Sequence, residues 1–331
     1  MALSKLRPDG HEVATAARIT GSTLVVYSQV GMELWRHTFA DQLVNYPPGS
    51  LEVAHCSFAD IDGDGRIETI FRLLTTDAAA ARLVCFDPDG KIRWEFVPGG
   101  TVADNRSHQY LRPYGIQGFA AVRRTASTPG RVVVTSVHNW SFPCQVAVLD
   151  GKTGKAVSEY WHHGHLLHMA VADIDGDGEP EILLGGVNDA DEYKQATVVV
   201  FDHRRIAGAS SNPKGEVYFQ GMTAGTEKAI ILFPRSPISK DEEFNRVSNL
   251  RAANGRIVVS VAEGVGEGDP PILYELDYSF RPTNAVFSGQ LVQRWHVLQE
   301  AGKIRKDSLT EMPGRLQAEV KVIHSGSGQR H

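Results

Sequence analysis

The sequence predicts an all-β protein built from repeated antiparallel sheets. An apolar strand, a tight turn and a second strand with aromatic residues recur along the 331-residue chain. An Asp-rich stretch of nine residues occurs twice, each time with strand-like residues on both sides. The chain also contains 32 glycines and 16 prolines, which is typical of a protein with many turns.

The recurring strand pairs predict five hairpins. Apolar alternation followed by Gly or Asp-Gly is typical of antiparallel strands joined by a tight turn. The turns fall near residues 29, 88, 151, 203 and 278, a spacing that suits four-stranded sheets with inserted loops. We expect the aromatic residues of the return strands to pack between successive sheets rather than to form a sugar-binding platform. They are Trp35, Trp94, Tyr160 and Trp161.

The Asp-rich stretches predict a pair of metal-binding turns. They begin at Asp60 and Asp173, and each has carboxylates at positions 1, 3, 5 and 9 and Gly at position 6. Calcium takes six to eight oxygen ligands at about 2.3–2.6 Å, which alternating Asp side chains on a turning backbone can supply. Neither copy is an EF-hand, because position 12 is Phe71 or Leu184 and the flanks predict strands. The alternative is an acidic hairpin turn without a metal.

The motif Asp-x-Asp-x-Asp-Gly-x-x-Glu between two strands resembles the FG-GAP (VCBS) repeat, the calcium-loop blade of integrin α-chain propellers. The resemblance covers 51–73 and 164–186, and implies a β-propeller with about two Ca²⁺ ions per chain. It implies no single activity, because the family includes adhesion modules, lectin-like modules and enzyme appendages. The implied side-chain ligands are Asp60, Asp62, Asp64 and Glu68, and then Asp173, Asp175, Asp177 and Glu181. At position 7, Arg66 and Glu179 would each donate a backbone carbonyl.

On this basis we expect 1–331 to be a single propeller domain of about five blades. The first blade has at most three strands, so a C-terminal strand from 291–298 or 316–323 is expected to close the ring and cover an open sheet edge. If both segments are strands, a degenerate sixth blade is the alternative. The insertion 210–245 is either a solvated excursion or a ligand-contacting loop. The expected blades are 11–45, 51–99, 110–162, 164–206 and 225–290, with ring closure and a flexible tail in 291–331.

Composition limits the classes of partner and compartment. The formal net charge is −5 and no basic stripe is evident, which argues against nucleic acid. The sequence contains no run of 18 apolar residues, so no transmembrane segment is predicted. Cys56, Cys85 and Cys144 lack metal-ligand spacing and are expected to be small buried side chains. Calcium loops favour an extracytoplasmic or membrane-anchored protein whose leader is missing here, whereas unpaired cysteines and the absent signal favour the cytoplasm.

Histidines and one tryptophan complete the candidate residues. His55 and His168 each lie five residues before the first Asp of a motif, so we expect both on inner strands. There they either hydrogen-bond between strands or hold a ligand. His108 and Trp140 lie in predicted loops and are further candidate ligand contacts. The four histidines in 161–168 form either an ordinary loop between sheets or a transition-metal site.

The sequence favours a non-catalytic function. It contains no Gly-x-Ser-x-Gly and no Gly-rich phosphate-binding motif that opens a helix. We expect a calcium-stabilised binding or sensor module for a protein or glycan ligand. One alternative is a glycan lyase or hydrolase with His55, His168 and His108 as acid/base candidates at a channel mouth. Another is a structural spacer.

Overall fold

The computed structural model describes residues 13–41, 43, 55–122, 129–138, 141–189, 194–210, 217–239, 244–264, 268–304 and 309–324. The chain divides into two compact units. The first comprises Met1–Val102, Gln109–Ser141 and Gln145–Glu159. The second comprises Ala103–His108, Phe142–Cys144 and Tyr160–His331.

The first two sheets belong to the first unit, and all their pairings are antiparallel between consecutive strands. Sheet 1 consists of β1 (Ala14–Thr20), β2 (Thr23–Ser28) and β3 (Glu33–Thr38). Sheet 2 consists of β4 (Cys56–Ala59), β5 (Glu68–Leu73), β6 (Arg82–Phe86) and β7 (Ile92–Phe96).

Sheet 3 consists, in spatial order, of β10 (Tyr114–Val122), β11 (Arg131–His138), β12 (Pro143–Asp150), β13 (Ala156–His163) and β17 (Gly208–Ala209). A two-stranded sheet, β8 (Val102–Ala103) with β9 (Gln109–Tyr110), precedes it in the chain. The last strand of sheet 3, β17, is parallel to β13, with Tyr160 opposite Gly208.

Sheets 4 and 5 and both helices belong to the second unit, and the strand pairings are antiparallel. Sheet 4 consists of β14 (Leu166–Ala172), β15 (Glu181–Asn188), β16 (Gln195–Asp202), β18 (Ala229–Leu232) and β23 (Lys321–His324). Sheet 5 consists of β19 (Arg246–Ala253), β20 (Arg256–Ala262), β21 (Pro271–Asp277) and β22 (Pro282–Phe287). The helices are α1 (Gly289–Glu300) and α2 (Met312–Ala318).

The second strands of sheets 2 and 4 are buried along their whole length. Every residue of β5 and of β15 is buried, and each strand is rich in apolar residues. Such continuous burial requires material on both faces of a sheet. The outer strand β22, in contrast, has a single buried residue. Sheets 2 and 4 are therefore covered on both faces at these strands.

Apolar clusters join successive sheets within each unit. In the first unit, one cluster combines Leu24 of sheet 1 with Phe71 of sheet 2, and another combines Ile70 of sheet 2 with Val132 of sheet 3. In the second unit, a single cluster combines residues of sheets 4 and 5 with both helices. The core of each unit thus lies between faces of consecutive sheets.

A tryptophan–glycine contact recurs between consecutive sheets of the first unit. A Cβ added to Gly90 would lie 2.9 Å from the Trp35 ring, and one added to Gly154 would lie 2.5 Å from the Trp94 ring. Both glycines also have positive φ, 83° and 68°, in tight turns. Trp94 Nε1 donates a hydrogen bond to the Gly151 carbonyl at 2.9 Å. The predicted packing of these two aromatic residues between sheets is confirmed.

The expectation that 291–298 forms a strand is wrong, because this segment belongs to α1. Leu291, Trp295 and Leu298 recur at helical spacing, and all three pack on the core of the second unit. The Ser288 side chain caps the helix by accepting a hydrogen bond from Leu291 N–H at 3.2 Å. The short apolar run is compatible with a strand or a helix, and its contacts with the core of the second unit decide for the helix.

The expected C-terminal closure of the first sheet is also wrong in the described residues. Much of 316–323 lies in or after α2, and the remaining strand, β23, pairs with β18 at the edge of sheet 4. Within the described residues, sheet 1 has three strands, and none of them comes from the C-terminal part of the chain. The strand β18 lies within the range 225–290 assigned to the last blade, yet pairs with β16. The expected tail, 325–331, lies outside the described residues.

The fold class that the sequence predicts is confirmed at the level of an all-β chain of antiparallel sheets, with two short helices added. Cys85 and Cys144 are buried and Cys56 is partly buried, and none of these three described cysteines is in a disulfide bond. Within the described residues, no helix is both long enough and apolar enough to cross a membrane.

Candidate metal centres

The first Asp-rich loop (60–68) connects β4 to β5 and is organised by its own carboxylates. Asp60 Oδ1 accepts a hydrogen bond from Gly63 N–H at 2.7 Å, and Asp60 Oδ2 accepts one from Gly65 N–H at 2.9 Å. Both glycines have positive φ, 79° and 82°. L-residues with a Cβ reach this region only at a cost, which explains glycine at positions 4 and 6.

The remaining acids of this loop bind backbone N–H groups in the same manner. Asp62 Oδ1 accepts from Asp64 N–H at 3.1 Å, and Asp64 Oδ1 accepts from Arg66 N–H at 2.7 Å. Glu68 Oε2 accepts from Ile61 N–H at 3.1 Å and so ties the end of the loop to its start. Each of these four acids therefore has an oxygen fixed by the backbone.

The second Asp-rich loop (173–181) connects β14 to β15 and repeats this pattern. Asp173 binds Gly176 N–H at 2.8 Å and Gly178 N–H at 3.0 Å. Glu181 Oε2 accepts from Ile174 N–H at 2.9 Å. The two intermediate bonds, from Asp177 N–H to Asp175 and from Glu179 N–H to Asp177, measure 3.2 and 2.8 Å.

Position 2 anchors each loop to the core. Ile61 is 1% exposed and packs with residues of sheets 2 and 3, whereas Ile174 is 8% exposed and packs with residues of sheets 4 and 5. At the first loop, a Cβ on Gly130 would lie 1.8 Å from the Ile61 carbonyl oxygen. Sheet 3 approaches this loop so closely that only glycine fits there.

Three carboxylates of each loop converge. Asp60, Asp62 and Glu68 form one group with one oxygen from each within 4.8 Å of the others. Asp173, Asp175 and Glu181 form the corresponding group at positions 1, 3 and 9. The predicted ligands at position 5, Asp64 and Asp177, are not members of these groups. The donor atoms are all carboxylate oxygens, which is the chemistry that a hard cation such as calcium prefers.

A basic side chain bridges the acids at positions 3 and 9 in both loops. Arg93 of β7 donates from Nη1 to Asp62 Oδ2 at 2.7 Å and from Nη2 to Glu68 Oε1 at 3.1 Å. Lys228, directly before β18, donates from Nζ to Asp175 Oδ2 at 2.6 Å and to Glu181 Oε1 at 2.7 Å. In each of these carboxylates, the basic group binds one oxygen and a backbone N–H group of the loop binds the other.

The outer surroundings of the loops differ. Arg93 Nε also binds Asp87 Oδ1 at 2.5 Å. In the second loop, Arg204 binds Asp177 at 2.8 Å and also Asp202, while Glu179 Oε2 lies 3.0 Å from His203 Nε2. Position 7 is therefore an exposed Arg66 in one loop and a buried Glu179 in the other.

Burial and charge shift the pKa values of these groups in opposite directions. Burial raises the pKa of Glu68 to about 7, although the Ile61 N–H and Arg93 act to lower it. Burial acts to lower the pKa of Lys228, but hydrogen bonds to Asp175 and Glu181 outweigh it and raise that pKa. Burial opposes the charge of Arg93 as well, yet Asp87, Glu68 and Asp62 raise its pKa. The basic groups are therefore held charged by the acids that they bridge.

The first loop borders a charged recess of about 310 Å³. Lys152 reaches it from the β12–β13 turn of sheet 3, where Asp150 fixes the turn by accepting from Thr153 N–H at 3.0 Å. All six lining residues are charged, three acidic and three basic, so the recess suits a polar ligand. They are Asp62, Arg66, Asp87, Asp89, Arg93 and Lys152.

The candidate histidines lie in different settings. His168 is on β14 opposite Gly185, at a register shift, and burial together with Arg246 lowers its pKa to about 4. His55 lies just before β4, and its carbonyl accepts from Arg72 N–H at 2.8 Å. Burial and then Arg72 lower the pKa of His55. His108 is exposed and pairs through Nδ1 with Asp104 Oδ2 at 3.0 Å. Trp140 lies outside the described residues.

Two of the four histidines in 161–168, His162 and His163, lie at the buried end of β13. His162 is fully buried, and its Nε2 lies 3.3 Å from the Val187 carbonyl oxygen. Burial lowers the pKa of His162 to about 3. His163 stacks on Phe219 at a centroid distance of 4.1 Å. Among the described residues, the converging acid, Cys and His groups are those of the two loops, and none includes this cluster.

Sequence reasoning missed the two bridging cations. Arg93 lies 25 residues after Glu68, and Lys228 lies 47 residues after Glu181. In the sequence, Arg93 next to Trp94 on a strand indicates only that its side chain points away from the core. In both sheets that carry an Asp-rich loop, a basic residue lies on the fourth strand or directly before it, and this recurrence was the signal in the sequence. Only the pairing of the fourth strand with its neighbour shows that the basic residue reaches the loop.

Comparison with known proteins gives distant structural matches. No protein-family model and no curated protein matches the chain. The chain is similar to BBS1N in complex with ARL6DN, from a crystal soaked with lead (9% identity, 81% of this chain, 62% of that chain, TM-score 0.43). It is also similar to the Dos1 propeller (10%, 86%, 62%, 0.42) and to the V. cholerae biofilm matrix protein Bap1 (14%, 82%, 53%, 0.23). The chain spans less than two thirds of the length of each of these structures. At these TM-scores the likeness carries no argument about function.

Proposed function

We propose that the chain is a non-catalytic binding module of the β-propeller type, stabilised by calcium in the loops 60–68 and 173–181. The observation that carries this proposal is the repetition of one loop. Two segments far apart in sequence make the same set of carboxylate–backbone hydrogen bonds and bring the same three carboxylates together. Such repetition is expected when two copies of one supersecondary unit serve the same purpose.

The five sheets are proposed to be the blades, in chain order. Each loop lies between the first and second strand of its sheet, and its Ile at position 2 packs on the following sheet. The repeated contact of a return-strand Trp with the glycine turn of the next sheet supports the same arrangement. Sheets 1, 3, 4 and 5 also share a register shift in the first strand.

Calcium would be held by the carboxylates at positions 1, 3 and 9. Asp64 and Asp177 at position 5, and the carbonyls of Arg66 and Glu179 at position 7, are proposed to complete the ligand set. The ion would supply two positive charges to acids that otherwise repel one another. The chain's own part is to fix these carboxylates by backbone N–H groups, through both oxygens at position 1 and through one oxygen at positions 3, 5 and 9, which orders the loop before an ion enters.

The proposed ligand is a protein or a glycan that contacts the charged recess beside the first loop. An exposed Arg66 and Lys152 stand at this recess, and Asp87 and Asp89 offer acceptors for hydroxyl or amide groups. We propose an extracytoplasmic location, because calcium outside cells is millimolar and fills even weak sites.

A thermal melt with calcium and then with EGTA, read beside analysis of bound metal, tests this proposal. We expect about two Ca²⁺ ions per chain, and about 2.7 kcal/mol of stabilisation per site when calcium exceeds Kd about one hundredfold. The variants Asp60→Asn/Asp62→Asn and Asp173→Asn/Asp175→Asn should each remove one ion. Asp41→Asn, at an exposed residue outside both loops and the recess, is the matched control.

A folded chain with no bound calcium and no calcium-dependent melting temperature would contradict the proposal. Both loops would then be ordinary acidic turns.

A further inference from the structure

We propose that Arg93 and Lys228 are tethered counter-ions that occupy the cation position of each loop, so that a divalent ion must displace them to bind. In both loops a basic group bridges the acids at positions 3 and 9. The two groups come from the fourth strand of the sheet or from the residue just before it. Different residue types thus reach the same two carboxylates by the same route.

The buried glutamate at position 9 requires a cation. The side chains of Glu68 and Glu181 are 0% and 1% exposed. Their Oε2 atoms accept from the Ile at position 2, and the basic group binds Oε1. A buried carboxylate without a partner of opposite charge is strongly destabilising, so the basic group holds the loop closed without metal.

Ion and side chain compete for the same atoms. A calcium ligand oxygen lies about 2.3–2.6 Å from the ion, and an ammonium or guanidinium on that oxygen would repel it at close range. Binding of calcium at positions 3 and 9 therefore requires that Lys228 or Arg93 move away. The apparent affinity of each loop is set partly by its own basic residue.

Calcium should displace the basic residue more easily from the second loop than from the first. Lys228 is a single point charge on a flexible stem, 32% exposed, with Asp175 and Glu181 as its partners. Arg93 is 16% exposed and is held additionally by Asp87 through Nε. We expect calcium to fill the second loop before the first.

The test compares Lys228→Met and Arg93→Met with the wild-type chain in two measurements. In EGTA we expect both variants to melt at a lower temperature, because the buried glutamate loses its counter-charge. In a calorimetric titration with calcium chloride we expect the altered loop to bind about tenfold more tightly or better, since its competitor is gone. Lys228→Arg should restore wild-type behaviour in both. Lys91→Met is the matched control, because Lys91 pairs with Asp89 in an exposed turn.

The outcomes separate this inference from the proposed function on which its calcium arm rests. Equal calcium affinity in Lys228→Met and wild type, or an unchanged melting temperature in EGTA, overturns the counter-ion role. If no variant binds calcium, the proposed function fails, and the EGTA melt still decides for or against the counter-ion.

If Lys228→Met does not fold, the double variant Lys228→Met/Glu181→Gln decides. Removing both charges should restore folding in EGTA, whereas continued failure to fold would assign Lys228 a packing role instead.

Discussion

The two Asp-rich loops have nearly the same interior and different surroundings. Inside, each loop closes through the same carboxylate–backbone bonds and the same buried Ile. Outside, the first loop has an exposed Arg66 beside a charged recess, and the second has a buried Glu179 paired with His203. The motif therefore determines the shape of the loop, while neighbouring strands determine what the loop can contact.

Under the proposed function, we expect the two loops to have different roles, one in ligand contact and one in stability. The recess, with Lys152 supplied by sheet 3, lies at the first loop, which is therefore the better candidate for ligand contact. In the second loop, position 7 and the nearby Arg204 are engaged with His203, Asp177 and Asp202. That loop is the better candidate for a purely stabilising role.

The largest expected effect is loss of the position 2 anchor. We expect Ile61→Ala and Ile174→Ala each to lower the free energy of unfolding by about 3 kcal/mol, because both remove buried methyl groups. Urea unfolding of each variant measures the loss. Val297→Ala, at a residue 63% exposed on α1, is the control with little expected change.

Similar losses at the two positions would support equivalent loops. A cost confined to Ile61 would instead show that the anchors are not equivalent, and that close approach by sheet 3 strengthens the first.

A second effect follows from the pKa of His168. Its folded value of about 4 lies below the ordinary 6.5, so the unfolded chain binds a proton that the folded chain does not as pH falls between these values. Stability from this group is therefore complete above about pH 6.5 and falls by up to about 3 kcal/mol by pH 4. Urea midpoints between pH 4 and 7 should be less pH-dependent in His168→Asn than in wild type.

His55→Asn provides the comparison in the first unit, since its pKa is shifted in the same direction. An unchanged pH profile in His168→Asn would mean that this histidine is not held neutral by its surroundings.

The smallest effect concerns the turn glycines at position 6. Gly65 and Gly178 have φ of 82° and 86°, and a Cβ on either would meet nothing within 4 Å. The cost of Ala is therefore backbone strain alone, about 1–2 kcal/mol at each site. Thermal melts should show similar losses, whereas Gly289→Ala, without a positive φ, should be neutral or slightly stabilising. Unequal losses would show that the two turns are not under the same backbone constraint.

The sequence alone determined the features that depend on neighbouring residues. Alternation and turn residues identified the strand pairs, because a strand's period and a tight turn's glycine are local requirements. The Asp-x-Asp-x-Asp-Gly spacing predicted the loops for the same reason, since each carboxylate binds an N–H group two to seven residues away. The packing role of Trp35 and Trp94 also followed from their recurring place.

Only the tertiary structure decided the features that depend on distant residues. The run 291–298 became a helix because its apolar residues pack on the core of the second unit, and β23 joined β18 rather than sheet 1. The partners of the buried glutamates are Arg93 and Lys228, which only strand pairing brings to the loops. A sequence motif specifies a local shape, whereas the charge that compensates it comes from whichever strand the fold places beside it.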